Sequence, residues 1–236
     1  MKRDQVALQL YTLRDHIQTL DDFKATLKKV AAIGYPAVQI SALGEAITPT
    51  QARQACEEAG LTICATHEKP ALILDEPQEA VQRLRGFGCK YTAYPFPAGI
   101  DVTSPEAIAE LIRKLDAAGK VFADAGQVLT YHNHHVEFHK IGGKTILEMI
   151  YDETDPANLQ SEIDTYWVQF GGGEPSAWMR RLQGRCPLLH LKDYKLDGEH
   201  KPMLCEIGAG TLDFKSIIAE AEAGGCQWFI VEQDTS

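Results

Sequence analysis

The chain has 236 residues, 44% of them hydrophobic, which is enough for one large core and matches the length of a single α/β barrel. Its 23 Lys and Arg stand against 33 Asp and Glu, a net charge of -10 that repels a phosphate backbone, so no nucleic-acid partner is expected. No stretch is apolar enough for a signal peptide or a membrane span, so the expected location is cytoplasmic, without membrane contact.

Met1-Lys2-Arg3-Asp4 leads straight into a strand predicted over residues 5–11, and a helix over 21–33 stops at Ala32-Ile33-Gly34-Tyr35. The alternation then repeats. Strands are predicted at 37–40, 62–67, 91–96 and 128–134, separated by helices at 49–59, 76–87 and 105–125. A helix at 144–153 precedes a strand at 159–164, a helix at 175–182 precedes a strand at 187–193, and a helix at 212–223 precedes a strand at 228–233. Glu58-Ala59-Gly60-Leu61, Asp124-Ala125-Gly126-Gln127 and Glu222-Ala223-Gly224-Gly225 repeat the helix-stop signal, glycine being the residue that closes a helix most easily.

Strands alternating with helices imply parallel pairing through right-handed crossovers. Eight of them favour a closed (β/α)8 TIM barrel, one domain over residues 1–236, rather than an open doubly wound sheet. No GxGxxG or GxxxxGK[ST] pattern occurs, and Gly171-Gly172-Gly173 reads as a flexible loop. The chain ends at Ser236, just after the eighth strand, so the barrel is expected to lack its final helix. The outer face of that strand, including part of Trp228 and Ile230, should then be bare unless another subunit covers it, which predicts a homo-oligomer. The cysteines stand singly at 56, 64, 89, 186, 205 and 226; Cys56, Cys64 and Cys226 read as small buried hydrophobes in a reducing compartment.

Four polar clusters close four of the apolar runs: Tyr131-His132-Asn133-His134, Glu162-Ile163-Asp164, His190-Leu191-Lys192-Asp193 and Glu232-Gln233-Asp234. Together they hold the residue types of one divalent-metal site, and in a barrel the C-terminal ends of the strands converge on one mouth. Side chains alternate along a strand, so His132 with His134, Asp164 with Tyr166, His190 with Lys192 and Glu232 with Asp234 should share faces. Tyr11 and Trp167 would suit the wall of a sugar pocket. Lys192 could meet a developing oxyanion, and His134 a substrate hydroxyl or a proton in transfer. His16, His135, His139 and His200 read as solvated.

These runs resemble the sugar phosphate isomerase/epimerase superfamily, the xylose isomerase-like TIM barrels. The resemblance rests on Leu8-Gln9-Leu10-Tyr11-Thr12-Leu13-Arg14-Asp15, Tyr131-His132-Asn133-His134 with Glu137-Phe138, Ile163-Asp164-Thr165-Tyr166-Trp167, Gly184-Arg185 with Leu189-His190-Leu191-Lys192-Asp193, Ile207-Gly208-Ala209-Gly210 with Asp213-Phe214, and Ile230-Val231-Glu232.

The resemblance implies one Mn, Mg, Co or Zn ion held by Asp164, His190 and Glu232. Many epimerases place Glu at the end of the fifth strand; this chain has His132, with Glu137 as the alternative ligand. His132 ranks first because it precedes Asp164 by one strand-helix-strand unit. The third-strand end, here His67, often contacts substrate in the superfamily. The activity implied is isomerisation or epimerisation of a small sugar, keto-sugar or polyol through an enediolate, with Glu232 as base and Glu137 or His134 next in line; dehydration or β-elimination is the alternative. A metal-bound imidazole is a poor base, which places two-glutamate epimerisation in question. A sugar-binding barrel without turnover and an apurinic-site endonuclease rank lower.

Overall fold

A computed structural model describes residues 1–235 of the chain. The barrel strands are β1 (Val6–Gln9), β2 (Ala37–Ile40), β3 (Thr62–His67), β4 (Tyr91–Tyr94), β5 (Val128–His132), β6 (Leu159–Asp164), β7 (Leu188–Leu191) and β8 (Trp228–Val231). All pair in parallel, in chain order around the barrel, and β8 closes on β1 through Val6↔Phe229, Ala7↔Ile230 and Leu8↔Val231. Each predicted strand is present, and each polar cluster lies at the mouth formed by the C-terminal ends.

The connecting helices are α1 (Leu20–Ile33), α2 (Pro49–Glu58), α3 (Pro70–Asp75), α4 (Pro77–Phe87), α5 (Pro105–Asp124), α6 (Ile146–Glu153), α7 (Thr165–Phe170), α8 (Pro175–Arg181) and α9 (Phe214–Ala223). Thr19, Thr48, Ser104 and Thr145 start α1, α2, α5 and α6 by accepting a backbone N–H of the first turn. Gly34 ends α1 at φ +110°, a conformation that only glycine adopts without strain. Among the described residues no helix is long and apolar enough to cross a membrane.

Alternation along the strands sorts the core into two layers. Outward residues Leu129, Tyr131, Leu159, Ile163, Leu189 and Phe229 pack against helix residues such as Leu111, Leu115 and Phe122. Inside, Ala7, Ala37, Ala65, Tyr91, Leu188 and Ile230 form an apolar floor. The next inward positions, Gln9, Gln39, Glu162 and His190, are polar and fully buried, so the interior changes from apolar to charged toward the mouth.

Several expectations need correction. The first strand ends at Gln9, whose side-chain oxygen accepts the Tyr11 N–H and turns the chain into a 3₁₀ segment, Leu10–His16. Helices α3 and α7 and two antiparallel ribbons, Lys140–Ile141 with Lys144–Thr145 and Asp193–Leu196 with Pro202–Cys205, were not predicted. Gly171-Gly172-Gly173 is a packed turn after α7, not a free loop: a Cβ on Gly171 or Gly173 would stand 2.3 Å or 2.6 Å from the Phe138 ring. The expected bare strip is reduced to half-buried Trp228 and Val231. Ile230 points into the barrel floor and is buried, while outward Phe229 is also fully covered. All six cysteines are free, and all but Cys89 are buried.

Candidate active site

Short strands deliver the site residues because each ends where its side chain clears the barrel interior. His132 is the last residue of β5 and Asp164 the last of β6; His190 is the inward residue before the end of β7, and Glu232 follows β8. One ligand atom from each of these four lies within 4.8 Å of those of the others, and all four residues are buried. His132 Nε2 is 3.2 Å from His190 Nδ1 and 3.7 Å from Asp164 Oδ2, and His190 Nδ1 is 3.0 Å from Glu232 Oε2.

The opposite ring nitrogens are anchored. His132 Nδ1 faces the Pro95 carbonyl at 3.4 Å, and His190 Nε2 faces Gln39 Oε1 at 2.7 Å and Glu162 Oε1 at 3.0 Å. With a proton on each anchored nitrogen, and His190 having given up its second, the other lone pairs would be directed into the cluster, the arrangement that metal-binding imidazoles need. Asp164 behaves similarly. Its Oδ1 accepts the Trp167 N–H, capping α7, whereas the buried Oδ2 has no hydrogen-bond partner although Lys192 Nζ stands 3.2 Å away. Two imidazoles and two carboxylates, one with a buried oxygen that makes no hydrogen bond, fit a divalent ion of the Mn, Mg, Co or Zn type.

A second polar layer lies beneath. Glu162 Oε1 accepts from His67 and faces His190, while its Oε2 accepts from Gln39 Nε2 at 2.7 Å; Gln9 Nε2 donates to Gln39 Oε1 at 2.9 Å. Glu162, Gln39 and Gln9 were not assigned roles from the sequence. The available signal was parity: Glu162 is two residues before Asp164 and so shares its inward face.

Charge is balanced by contact. Burial alone would raise the Glu232 carboxyl, but Lys192 and His190 overcome it and hold the group well below the usual carboxylate range. Glu162 is likewise held well below its ordinary range against burial, by His190 and His67. Burial opposes a charge on His190, yet Glu162 and Glu232 raise it to about 10. Lys192, 1% exposed, is raised above its ordinary value because Asp164, Glu232 and Asp234 outweigh its burial. Burial and the neighbouring His132 push His134 down to about 2, so that ring is neutral.

Above the cluster lies a cavity of about 610 Å³, within the range of small-molecule sites. Tyr11, His67, His132, His134, Trp167 and Glu232 all line it, beside Phe96 and Asp234. The sequence-predicted wall and ligand residues therefore meet in one place, with Lys192 beneath and its Nζ 5.4 Å from the Trp167 ring centre. His134 Nδ1 and Trp167 Nε1 are buried without hydrogen-bond partners. Glu137 is not brought to the cluster. The turn after β5 folds it behind the strand, where Oε1 accepts the Tyr131 O–H at 2.9 Å and Oε2 the His134 N–H at 2.8 Å. Tyr166, expected on the face of Asp164, instead packs in α7 against Trp167, Phe170 and Tyr194. His16, His135, His139 and His200 are exposed.

Comparison with known proteins agrees with the barrel fold. The model of the family described as xylose isomerase-like TIM barrel matches residues 27–236. A sugar phosphate isomerase/epimerase from Parabacteroides distasonis superposes with a TM-score of 0.83 at 22% identity, over 100% of this chain and 88% of that one. D-allulose 3-epimerase from Methylomonas sp., solved in complex with D-allulose, gives 0.72 at 15% identity, over 100% of this chain and 85% of that one. Inosose dehydratase of Geobacillus thermodenitrificans is 26% identical over 141 residues, 52% of this chain and 46% of that protein, so the chain spans about half the length of this curated relative. The chain belongs to the xylose isomerase-like TIM-barrel family.

Proposed function

We propose that this family member is a metal-dependent enzyme that removes a proton α to the carbonyl of a small sugar, keto-sugar or polyol derivative. The observation that carries the reading is the convergence of His132, Asp164, His190 and Glu232 below a cavity of small-molecule size. These four residues would hold the divalent ion, which when bound supplies Lewis-acid stabilisation of enediolate charge. Glu232 is the base: it lines the cavity and is held ionised by Lys192 and His190. Lys192, whose ammonium lies 2.8 Å from Glu232 Oε2, keeps that charge in place. Neutral His134 lines the cavity, and Tyr11 and Trp167 supply apolar faces for C–H surfaces.

Return of the proton gives isomerisation or epimerisation. A second reading, loss of a β-hydroxyl as in a dehydratase, is favoured by one feature of the site. Two-base epimerisation needs a second carboxylate across the substrate, but Glu137 is occupied behind β5 and Glu68 is paired with Arg83 at 2.8 Å. Asp234 shares Lys192 with Glu232 and so stands on the same side. The test is Glu232→Gln. Metal-replete mutant should exchange the substrate α-hydrogen with solvent deuterium at least about 10²-fold more slowly than wild type. Unchanged exchange at full metal content would remove Glu232 as the base.

A further inference from the structure

The charge around the cavity bears on what kind of sugar it accepts. Resting on the function proposed above, we infer that the substrate is an unphosphorylated, uncharged polyhydroxy ketone and that phosphate esters are excluded. Proteins hold phosphate dianions with Arg or Lys side chains, or with converging backbone N–H groups. Neither is free here.

Among the described residues lining the cavity, the one cationic side chain is Lys69, which is 76% exposed and paired with Glu45 at 2.7 Å. Arg83 lines an adjoining cavity that shares Ser41, Ala42 and His67, and its guanidinium is paired with Glu68. Lys192 is enclosed by Asp164, Glu232 and Asp234. Arg14 gives its guanidinium to the carbonyls of Tyr11 and Asp234. Facing the same space are the carboxylates of Glu68, Glu232 and Asp234. These carboxylates already take the nearby cations, Glu68 taking Arg83 and both Glu232 and Asp234 taking Lys192, so none is left to hold a phosphate.

The backbone is committed as well. In α/β barrels a phosphate commonly sits on amides of the loops after the seventh and eighth strands. After β7 those amides hold an internal anion. Buried Asp193 accepts the Gly208 and Gly210 N–H groups on Oδ2, both at 2.9 Å, and the Tyr194 and Leu212 N–H groups on Oδ1 at 2.8 Å and 3.4 Å. A Cβ on Gly210 would stand 2.2 Å from Asp193 Oδ1, so the carboxylate fills the hollow that an external phosphate would need. After β8 the Glu232 N–H bonds the Leu191 carbonyl and the Gln233 N–H bonds Thr12 Oγ1. The amides after β7 and the first two after β8 are thus engaged, by independent arrangements.

Calorimetric titration of the metal-loaded protein with D-fructose and D-allulose, each against its 6-phosphate, tests the inference. The tighter-binding parent should bind at least about tenfold more tightly than its ester. Equal or tighter binding of an ester, or failure of both parents to bind, overturns it. Solvent-deuterium exchange on the same samples separates the two claims: parent binding without exchange supports the substrate class and sinks the proposed chemistry, whereas exchange of an ester does the reverse. Phe96→Arg, at the mouth, should raise ester affinity relative to the parent by about tenfold if missing positive charge is the cause. A ratio that does not move overturns the electrostatic argument.

Discussion

Replacing Glu137 distinguishes a catalytic carboxylate from one that holds the turn after β5. Its side chain is fully buried, and its two oxygens accept the Tyr131 O–H and the His134 N–H. Glutamine preserves the shape: its carbonyl can accept the His134 N–H, and the Tyr131 hydroxyl can rotate to accept from the new amide. Burial holds the Glu137 carboxyl above its ordinary range, so removing the charge relieves a cost that offsets the weaker hydrogen bonds. Glu137→Gln should therefore change stability by no more than about 1 kcal/mol. Glu137→Ala leaves two buried donors unsatisfied, at about 1–3 kcal/mol each, and opens a cavity as well. Urea unfolding of both mutants, with deuterium exchange on the metal-loaded proteins, reads both effects. Exchange by Glu137→Gln should stay within about threefold of wild type. A folded, metal-replete Glu137→Gln that loses exchange as severely as Glu232→Gln would refute the reasoning and restore Glu137 as a base.

Three further outcomes follow from the geometry. Gly171→Ala should cost about 1–3 kcal/mol by driving a methyl into the Phe138 ring, and pairing it with Phe138→Ala should make the two costs non-additive in thermal unfolding; additive costs would mean the contact is not the cause. Because Glu162 and Glu232 outweigh burial and raise His190 to about 10, the metal-free ring carries a proton on the nitrogen that must bind the ion. Metal uptake at pH 7 should expel about one proton, and affinity should climb as pH rises toward that value; calorimetry in buffers of different ionisation enthalpy that finds no proton release would remove His190 from the ligand set. Lys192→Met strands three carboxylates together and should destabilise the metal-free protein by about 3–5 kcal/mol, with a larger thermal gain on adding Mn²⁺ than wild type shows. An equal gain in both proteins would show that Lys192 does not substitute for ion charge.

The barrel was legible in the sequence because its signals are local: glycine stops after helices, apolar runs of strand length, and polar residues at each run's end. The four side chains that converge at the mouth, His132, Asp164, His190 and Glu232, were legible for the same reason. Glu162, Gln39 and Gln9 escaped because attention to strand ends passes over residues one pleat deeper, where a polar side chain within an apolar run acquires meaning only once the barrel closes around it. Glu137 looked available because sequence distance from His132 says nothing about which way a 3₁₀ turn faces. The Gly171-Gly172-Gly173 reading failed on a contact with Phe138, distant in sequence. The expected exposure of Ile230 failed on strand parity, which puts it on the inward face with Glu232.

The central claim, one divalent ion held by four residues from four strands, is tested most directly by anomalous diffraction from a Mn²⁺-loaded crystal. One peak is expected, at about 2.0–2.3 Å from His132 Nε2, His190 Nδ1 and a carboxylate oxygen of each of Asp164 and Glu232. A peak elsewhere, or none at full Mn²⁺ loading, would contradict the account.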